Sequence, residues 1–183
     1  MTFDPRLEPL EDLNRKEKLK WLMENYGNDV IRLAYTYLKH KQLSEDVAQE
    51  VFIKCYENLD TFRNDSSYKT WLIRITVNRC KDVLKSWSYR NLVITEFFQY
   101  KTLTTSIEHQ YFKGEESEQI SRQVLELPVK MREVIILFYY QEISIDEISV
   151  LLKVKPNTVK TRLHRGRLKL KESLEGAWSL SGQ

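Results

Sequence analysis

Residues 144–170 read SIDEISVLLKVKPNTVKTRLHRGRLKL, and this stretch decides how the last third of the chain folds. Ser144 and Glu147 have the spacing of a capping box in front of an apolar run, which predicts that a short helix begins there. Pro156 suits the first position of a following helix, where its missing amide hydrogen is not needed. Two helices joined by the short connection 153–155 predict a helix-turn-helix.

The second helix of this motif is strongly basic. Residues 153–172 contain eight Lys or Arg and one Glu, a net charge of +7. An inward seam is predicted at Val159, Leu163, either Gly166 or Arg167, and Leu170. The side chains expected to project outward, where a recognition helix meets base edges and phosphates, are Lys160, Thr161, His164, Arg165 and Lys169. An ordinary solvated helix would also be basic, but the capped helix and tight turn before it favour DNA binding.

Two further helices are predicted before the motif. The first covers 117–127 and stops at Pro128, because the residue before a proline disfavours the helical conformation. The second is very apolar and covers 129–140. The basic helix itself is expected to run through Lys171.

The first half of the chain also has helical periodicity. A helix is expected near Arg15, with a candidate break at Gly27-Asn28 before a second apolar stripe at Ile31, Ala34, Tyr35 and Leu38. Ser44 is expected to cap the next helix, with Glu45 and Asp46 in the first turn, where acids favour the helix dipole. The predicted apolar face of that helix is Val47, Ala48, Val51, Phe52, Cys55, Tyr56 and Leu59.

A predicted helix over 68–89 carries two different faces. One is an apolar seam at Ile73, Val77, Cys80, Leu84 and Trp87. The other aligns an aromatic ring with amide and basic groups: Trp71, Arg74, Asn78, Lys81 and Lys85. Cations that meet phosphates beside a ring that stacks on bases suit single-stranded nucleic acid. From this pattern alone, a solvated basic face with Trp71 in the core is an open alternative.

Composition bounds the architecture. The 183 residues are 42% hydrophobic with only 5 Gly and 4 Pro, which favours helices in one large or two small domains. The expected fold is all-α: two small helical domains joined by a flexible linker, the second containing the helix-turn-helix. The expected boundaries are a disordered extension over 1–14, domains over 15–91 and 117–176, a linker over 92–116 and a tail over 177–183. The linker holds too many aromatics for an inert tether: Phe97, Phe98, Tyr100, Tyr111 and Phe112.

Several other features restrict location and chemistry. Cys55 and Cys80 lie at apolar helical positions and form no metal-ligand pair, so they are expected to be buried thiols, and no metal or cofactor is expected. The N-terminus lacks the apolar core of a signal peptide, and no run approaches the roughly 20 apolar residues of a membrane span. A cytoplasmic protein with no membrane insertion of its own is predicted.

Four segments resemble motifs of the extracytoplasmic-function (ECF) sigma factors of bacterial RNA polymerase. Residues 157–170 are similar to the family's T-V-K-S-R-L-x-R-A-R-x-x-L helix, and residues 125–137 look like the start of the same domain. Residues 44–52, SEDVAQEVF, resemble A-E-D-x-x-Q-E-x-F. Residues 70–82, TWLIRITVNRCKD, resemble W-L-x-x-I-A-x-N-x-x-x-D. Together the matches span roughly 28–88 and 118–174 in the family's order.

The resemblance implies a non-enzymatic role in transcription initiation. The chain would bind core RNA polymerase, recognise −35 and −10 promoter elements and promote DNA melting, in response to stress and under an anti-sigma factor. The second domain would sit on the β flap. The residues implied to dock on the clamp helices of the β′ subunit are Asp46, Gln49 and Glu50.

The resemblance also implies which residues meet promoter DNA. Asn64 and Asp65 would hold a flipped base of the −10 element, which would also be contacted by Trp71, Arg74, Asn78, Lys81 and Lys85. The implied −35 residues are Asn157, Thr158, Lys160, Thr161, Arg162, His164, Arg165 and Lys169. Three positions depart from the family pattern. Gly166 stands where Ala is usual, which weakens the helix by about 1 kcal/mol at most, Thr161 replaces Ser, and Lys155-Pro156 is an unusual helix start.

Other functions fit parts of the sequence. A stand-alone helix-turn-helix regulator would bind an operator without polymerase, often as a symmetric dimer. A nuclease or phosphotransferase using Asp46 and Glu50 is disfavoured, because His partners at ligand spacing and a Gly-rich phosphate loop are lacking. A sigma-mimicking anti-anti-sigma factor would not need the basic helix that this chain keeps.

Overall fold

The structure is a computed structural model that describes residues 10, 13–62, 66–86 and 115–181, with side chains from 120 to 175 in the last range. Every regular element in these ranges is helical, so the all-α prediction is confirmed. Contacts divide the chain into two compact units, Met1–Asp82 and Val83–Gln183. No described helix is long and apolar enough to cross a membrane.

The first unit holds helices α1 (Arg15–Leu38) and α2 (Lys41–Asn58), a 3-10 turn (Leu59–Thr61) and most of α3 (Tyr68–Lys85). Asn14 caps α1, because its side chain accepts hydrogen bonds from the amides of Lys16 and Glu17 while the Glu17 carboxylate accepts from the Asn14 amide. Helices α1 and α2 pack along each other.

Helix α1 runs through Gly27 without a break, so the predicted interruption is wrong. A glycine inside a helix costs only about 1 kcal/mol relative to alanine. Tyr26 and Val30, on either side of Gly27, are both buried. Their packing stabilises a continuous helix at this point. Lys39 ends the helix in the left-handed conformation, with its amide bonded to the Tyr35 carbonyl at 2.8 Å.

The start of α1 is tied to the end of α2 by one arginine. The Arg15 guanidinium donates to the Tyr56 carbonyl, with 2.8 Å from Nε, and lies 4.2 Å from the centroid of the Tyr56 ring. It also lies 3.4 Å from the Asp60 carboxylate. A cation is favoured there, since the last carbonyls of a helix carry partial negative charge. Leu10, within the segment predicted to be disordered, is buried, while most of that segment lies outside the described residues.

Helix α2 begins at Lys41, so the prediction that Ser44 caps it and puts Glu45 and Asp46 in its first turn is wrong. His40 is the cap: its Nδ1 accepts from the Leu43 amide at 3.2 Å. Ser44 is buried one turn inside, where its hydroxyl donates to the His40 carbonyl at 2.7 Å. The predicted apolar face is confirmed, with Tyr56 half-buried and the rest buried.

Helix α3 contributes the predicted seam to the core. Ile73, Val77 and Cys80 are buried and Leu84 is half-buried, whereas Trp87 lies outside the described residues. The core takes in three more residues of α3 than predicted, Tyr68, Leu72 and Thr76. The Thr76 hydroxyl is satisfied by donating to the Leu72 carbonyl at 2.7 Å.

The second unit holds α4 (Glu115–Glu126), α5 (Val129–Ile135, continuing as a π-helical turn over Ile136–Tyr140), α6 (Ile145–Leu152) and α7 (Pro156–Ser181). Its core centres on the fully buried Val134, Leu137, Ile148 and Val159. The last helix runs through Lys171, as predicted, and continues to Ser181. Lys171 pairs with Glu175 at 3.7 Å one turn later, an i,i+4 contact of the kind that supports a continuing helix.

We expect the two cysteines to be unreactive in the folded protein. Both are buried, and burial raises the pKa of the Cys55 thiol and that of the Cys80 thiol to about 12. Because the thiolate is the reactive form, a soluble disulfide reagent at neutral pH should label neither until the protein unfolds. A Glu57→Cys variant, which puts a thiol on the exposed side of α2, is the positive control. Labelling of the native thiols as fast as that control would contradict the burial.

Candidate nucleic-acid and polymerase interfaces

The helix-turn-helix is formed by α6 and α7, which pack on each other. The predicted capping box is present: the Ser144 hydroxyl accepts from the Glu147 amide at 3.3 Å, and the Glu147 carboxylate accepts from the Ser144 amide at 3.1 Å. Lys153 ends α6 in the left-handed conformation, and Pro156 is the first residue of α7. The connection is therefore only three residues long.

The first half of α7 separates a buried face from an exposed face. Val159, Leu163 and Gly166 are buried, which resolves the predicted seam in favour of Gly166, since Arg167 is exposed. Thr158 and Arg162 are half-buried. The other predicted −35 residues are all exposed: Asn157, Lys160, Thr161, His164, Arg165 and Lys169.

Arg162 turns back towards its own domain. Its guanidinium Nη1 donates to the Glu133 carboxylate of α5 at 3.0 Å, and that carboxylate side chain is only 5% exposed. The adjacent Arg132 is also buried and donates to the carbonyls of Leu125 and Leu127 at the end of α4. These contacts tie α4 and α7 to α5. Sequence reasoning missed the Glu133–Arg162 pair, whose partners are 29 positions apart.

At Gly166 the backbone of α7 lies so close to α5 that an added side chain would contact Ile135. A Cβ atom at this position would lie 3.0 Å from Cγ1 and 3.3 Å from Cδ1 of Ile135. The glycine that departs from the family pattern is therefore matched by a large residue opposite it.

On α2, Asp46, Gln49 and Glu50 are all exposed and lie on one face at i, i+3 and i+4. Ile53, 60% exposed, extends the same face by one turn. Asp46 accepts from the Gln42 amide nitrogen at 3.3 Å. Glu50 pairs with Arg79 of α3 in a two-pronged contact, in which Nη2 donates to Oε1 at 2.9 Å and Nε donates to Oε2.

On α3, the predicted aromatic and basic face is present. Trp71 is half-buried: its ring centroid lies 4.8 Å from that of Phe62 and 6.2 Å from that of Tyr68. It is therefore neither a core residue nor a fully exposed one. Arg74, Asn78 and Lys85 are exposed and Lys81 is half-buried, whereas Asn64 and Asp65 lie outside the described residues. Trp71, Arg74 and Asn78 share a groove of about 540 Å³ with the paired Glu50 and Arg79.

These features define a two-part helical DNA-binding protein, with an aromatic and basic groove in one unit and a helix-turn-helix in the other. Comparison with known proteins gives the family. Residues 22–88 match Sigma-70 region 2, and residues 117–170 match Sigma-70, region 4. The chain is 33% identical over 162 residues to the ECF RNA polymerase sigma factor SigW of Bacillus subtilis (strain 168), covering 84% of this chain and 87% of that protein. It is 32% identical over 155 residues to the ECF RNA polymerase sigma-E factor of Escherichia coli (strain K12), covering 80% and 81%.

The chain belongs to the ECF family of RNA polymerase sigma factors. It is a non-enzymatic transcription initiation factor, as its sequence motifs predicted. Family membership sets aside the stand-alone regulator, the nuclease or phosphotransferase, and the sigma mimic.

Two solved structures share the fold. The sigma factor RpoE from Bartonella quintana, in complex with the anti-sigma factor NepR, gives a TM-score of 0.69 at 19% identity, covering 87% of this chain and 98% of that one. CnrH, in complex with the cytosolic domain of CnrY, gives a TM-score of 0.63 at 21% identity, covering 93% and 95%. At these identities the likeness is one of fold.

We expect Arg162→Ala to destabilise the second unit by about 2 kcal/mol, since a hydrogen bond to a buried charge is lost. Urea unfolding of the full chain measures this. Arg165→Ala is the matched control, because Arg165 is an exposed arginine on the same helix and its loss should cost no more than about 0.5 kcal/mol. Equal stability of the two variants would show that Glu133 does not depend on Arg162.

The stability cost of a substitution at Gly166 should rise steeply with the size of the new side chain. In Gly166→Ala, the gain in helix propensity opposes the 3.0 Å contact with Ile135, so the net change should stay below about 1 kcal/mol. Gly166→Leu should cost about 1–3 kcal/mol, because it overpacks the space between α5 and α7. Thermal unfolding distinguishes the two variants. Full tolerance of leucine would mean that the helices do not approach as closely as described.

Proposed function

We propose that α7 reads the −35 promoter element as duplex DNA. The observation that supports this most strongly is the grouping of Lys160, His164 and Arg165 on the exposed face of a helix whose opposite face is buried. Lysine and arginine donate to guanine or to phosphates, and the Thr161 methyl can contact thymine. Asn157, Thr158 and Lys169 flank this group. The Thr161 hydroxyl donates to the Asn157 carbonyl, with 2.8 Å between the two oxygens. The Thr161 hydroxyl oxygen can therefore still accept a hydrogen bond from DNA.

Arg162 has a different role in this proposal. The resemblance alone would count it among the DNA contacts. Its guanidinium is instead held by the buried Glu133, so we assign it to positioning α7.

The first unit is proposed to hold the −10 element as single-stranded DNA. Trp71 offers part of its ring for base stacking, while Arg74, Asn78, Lys81 and Lys85 provide the cations and amide along the same helix. Asn64 and Asp65, outside the described residues, are proposed to hold a flipped base. Trapping unstacked bases favours the separated strands, since extruding a base otherwise costs a few kcal/mol.

Core polymerase is proposed to bind the α2 face of Asp46, Gln49 and Glu50 through the clamp helices of the β′ subunit, and the second unit through the β flap. An acidic face against a basic partner steers association and fixes register. The exposed Ile53 beside these residues adds apolar area that suits the centre of an interface.

An anti-sigma factor is proposed as a further partner, with a role in stress response. The sigma factor RpoE, which has the same fold, is bound to the anti-sigma factor NepR in its solved structure, and this supports the proposal. The proposed location is the cytoplasm, where promoter DNA and polymerase are found.

Substitutions in the two units should cause different defects in the holoenzyme. Lys160→Ala and Arg165→Ala should each weaken −35 protection by about 10-fold, or roughly 1–3 kcal/mol per base contact. Trp71→Ala and Asn78→Ala should leave −35 protection intact and reduce the permanganate reactivity of thymines in the −10 region. Lys130→Ala removes an exposed charge from α5 and serves as the control. The same defect in both pairs would contradict the division of labour.

Loss of charge on α2 should weaken binding to core polymerase. We expect Asp46→Asn and Glu50→Gln each to raise the Kd by about 10-fold, mainly through a slower, salt-dependent association rate. Glu57→Gln, an exposed glutamate on the same helix, should leave the Kd within about 2-fold. Titration of core polymerase with fluorescently labelled full-length chain measures both. Unchanged affinity of Asp46→Asn and Glu50→Gln would move the interface elsewhere.

A further inference from the structure

One arginine of α3 lines the groove of the first unit without a role in the proposed DNA contacts. Arg79 belongs neither to the aromatic and basic face predicted from the sequence nor to the residues that the family resemblance implies. It nevertheless lies on the same groove as Trp71, Arg74 and Asn78, and its side chain is 40% exposed. A partly exposed cation on a groove proposed for single-stranded DNA is placed to meet a phosphate.

The pair with Glu50 fixes how the Arg79 guanidinium lies. Nε donates to one carboxylate oxygen of Glu50, and Nη2 donates to the other oxygen at 2.9 Å. A two-pronged contact of this kind restricts the planar guanidinium to one orientation, which a single hydrogen bond would not do. The side chain is therefore preorganised, and a ligand that binds it causes a smaller loss of side-chain entropy.

The pair leaves another edge of the guanidinium for a further acceptor. In the described part of the chain, the hydrogen bonds of Arg79 use Nε and Nη2. The other edge consists of Nη1 and the second hydrogen of Nη2, and it can donate parallel hydrogen bonds to the oxygens of a phosphate. The Glu50 oxygens keep lone pairs as well, so Glu50 can hold Arg79 and still meet polymerase.

We propose that Arg79 contacts a phosphate of the −10 strand and that Glu50 positions it for this contact. The inference rests on the proposed function, because it takes the groove as the site of single-stranded DNA. The charges of the groove favour a phosphate there. Arg79 lines it together with the cations Lys54 and Arg74, against the acids Glu50 and Asp82, so cations outnumber carboxylates by one.

The place of Arg79 along α3 predicts which phosphate it contacts. Arg79 comes eight residues after Trp71, which is about 12 Å along the helix axis at about 1.5 Å per residue. Phosphates of one strand are about 3.4 Å apart along duplex DNA and farther apart in an extended single strand. We therefore expect the contacted phosphate within about four nucleotides of the base that stacks on Trp71.

Neutral replacements of single phosphates test this contact in the holoenzyme. The probe is a fork-junction DNA with a single-stranded −10 element, taken from a promoter that the holoenzyme transcribes, and it carries one methylphosphonate at a time along that strand. With the wild-type chain, one position near the stacked base should weaken binding by about 5- to 10-fold. With Arg79→Gln, the unmodified probe should already show this loss, and the same methylphosphonate should have no further effect.

Further variants separate this contact from a structural role. Arg79→Gln should also make the plot of log Kd against log salt concentration less steep by about 0.7, the value for one phosphate of a single strand. Arg32→Gln, which changes an exposed arginine of α1, should alter neither quantity. Glu50→Gln, measured with core polymerase in excess, should reduce the loss caused by the methylphosphonate, because Arg79 is then held less firmly.

The outcomes distinguish this proposal from the proposed function. Methylphosphonate losses that are as large with Arg79→Gln as with the wild-type chain at every position would overturn the phosphate contact. A loss that stays unchanged in Glu50→Gln would overturn the positioning role of Glu50. Trp71→Ala should weaken binding of the same probe without changing the salt dependence, since stacking involves no phosphate.

The Trp71 variant shows which idea has failed if Arg79 has no effect. Weaker binding of Trp71→Ala together with normal binding of Arg79→Gln would remove Arg79 from the site and leave the −10 role of the groove intact. Normal binding of both variants would overturn this proposal and contradict the proposed function of the groove as well.

Discussion

The ion pair between Glu133 and Arg162 determines how α7 sits on its domain. The Glu133 side chain is buried in α5, and a buried carboxylate is strongly destabilising unless a cation or donors satisfy it. Arg162 therefore anchors one side of α7 while Gly166 lets its backbone approach Ile135 one turn later. Arg132 ties α5 to the end of α4 in the same layer. With three helices fixed in this way, Lys160, His164 and Arg165 are held together on the exposed side of α7.

The first unit uses an exposed ion pair at the border between two surfaces. Glu50 belongs to the face of α2 proposed for polymerase, and Arg79 lines the same groove as Trp71, Arg74 and Asn78, which are proposed to contact the −10 strand. Such an exposed pair contributes little to stability. Its position nevertheless makes the two proposed binding surfaces neighbours, so that polymerase and unwound DNA would meet the same pair of helices.

Most helices could be predicted from the sequence. Each one packs a single face against its domain, and this packing requires apolar residues at helical spacing. The capping box at Ser144 and the start at Pro156 are local signals, and both were confirmed. The failures arise where local signals are ambiguous. A serine hydroxyl can cap a helix, or it can donate to a backbone carbonyl one turn earlier. His40 is the cap here, and Ser44 donates to the His40 carbonyl. The resemblance counted Arg162 among the −35 contacts, and nothing local in the sequence indicates its partner Glu133, 29 positions away. The half-buried state of Trp71 depends on Phe62 and Tyr68 around it.

This chain is proposed to direct RNA polymerase to promoters through two separate units. The decisive experiment is in vitro transcription with purified core RNA polymerase on a library of genomic fragments, with and without the full-length chain. We expect new transcripts that appear only with the chain and begin downstream of shared −35 and −10 sequences. If no new transcripts appear and the chain alone binds DNA sequence-specifically, the chain does not act as a sigma factor.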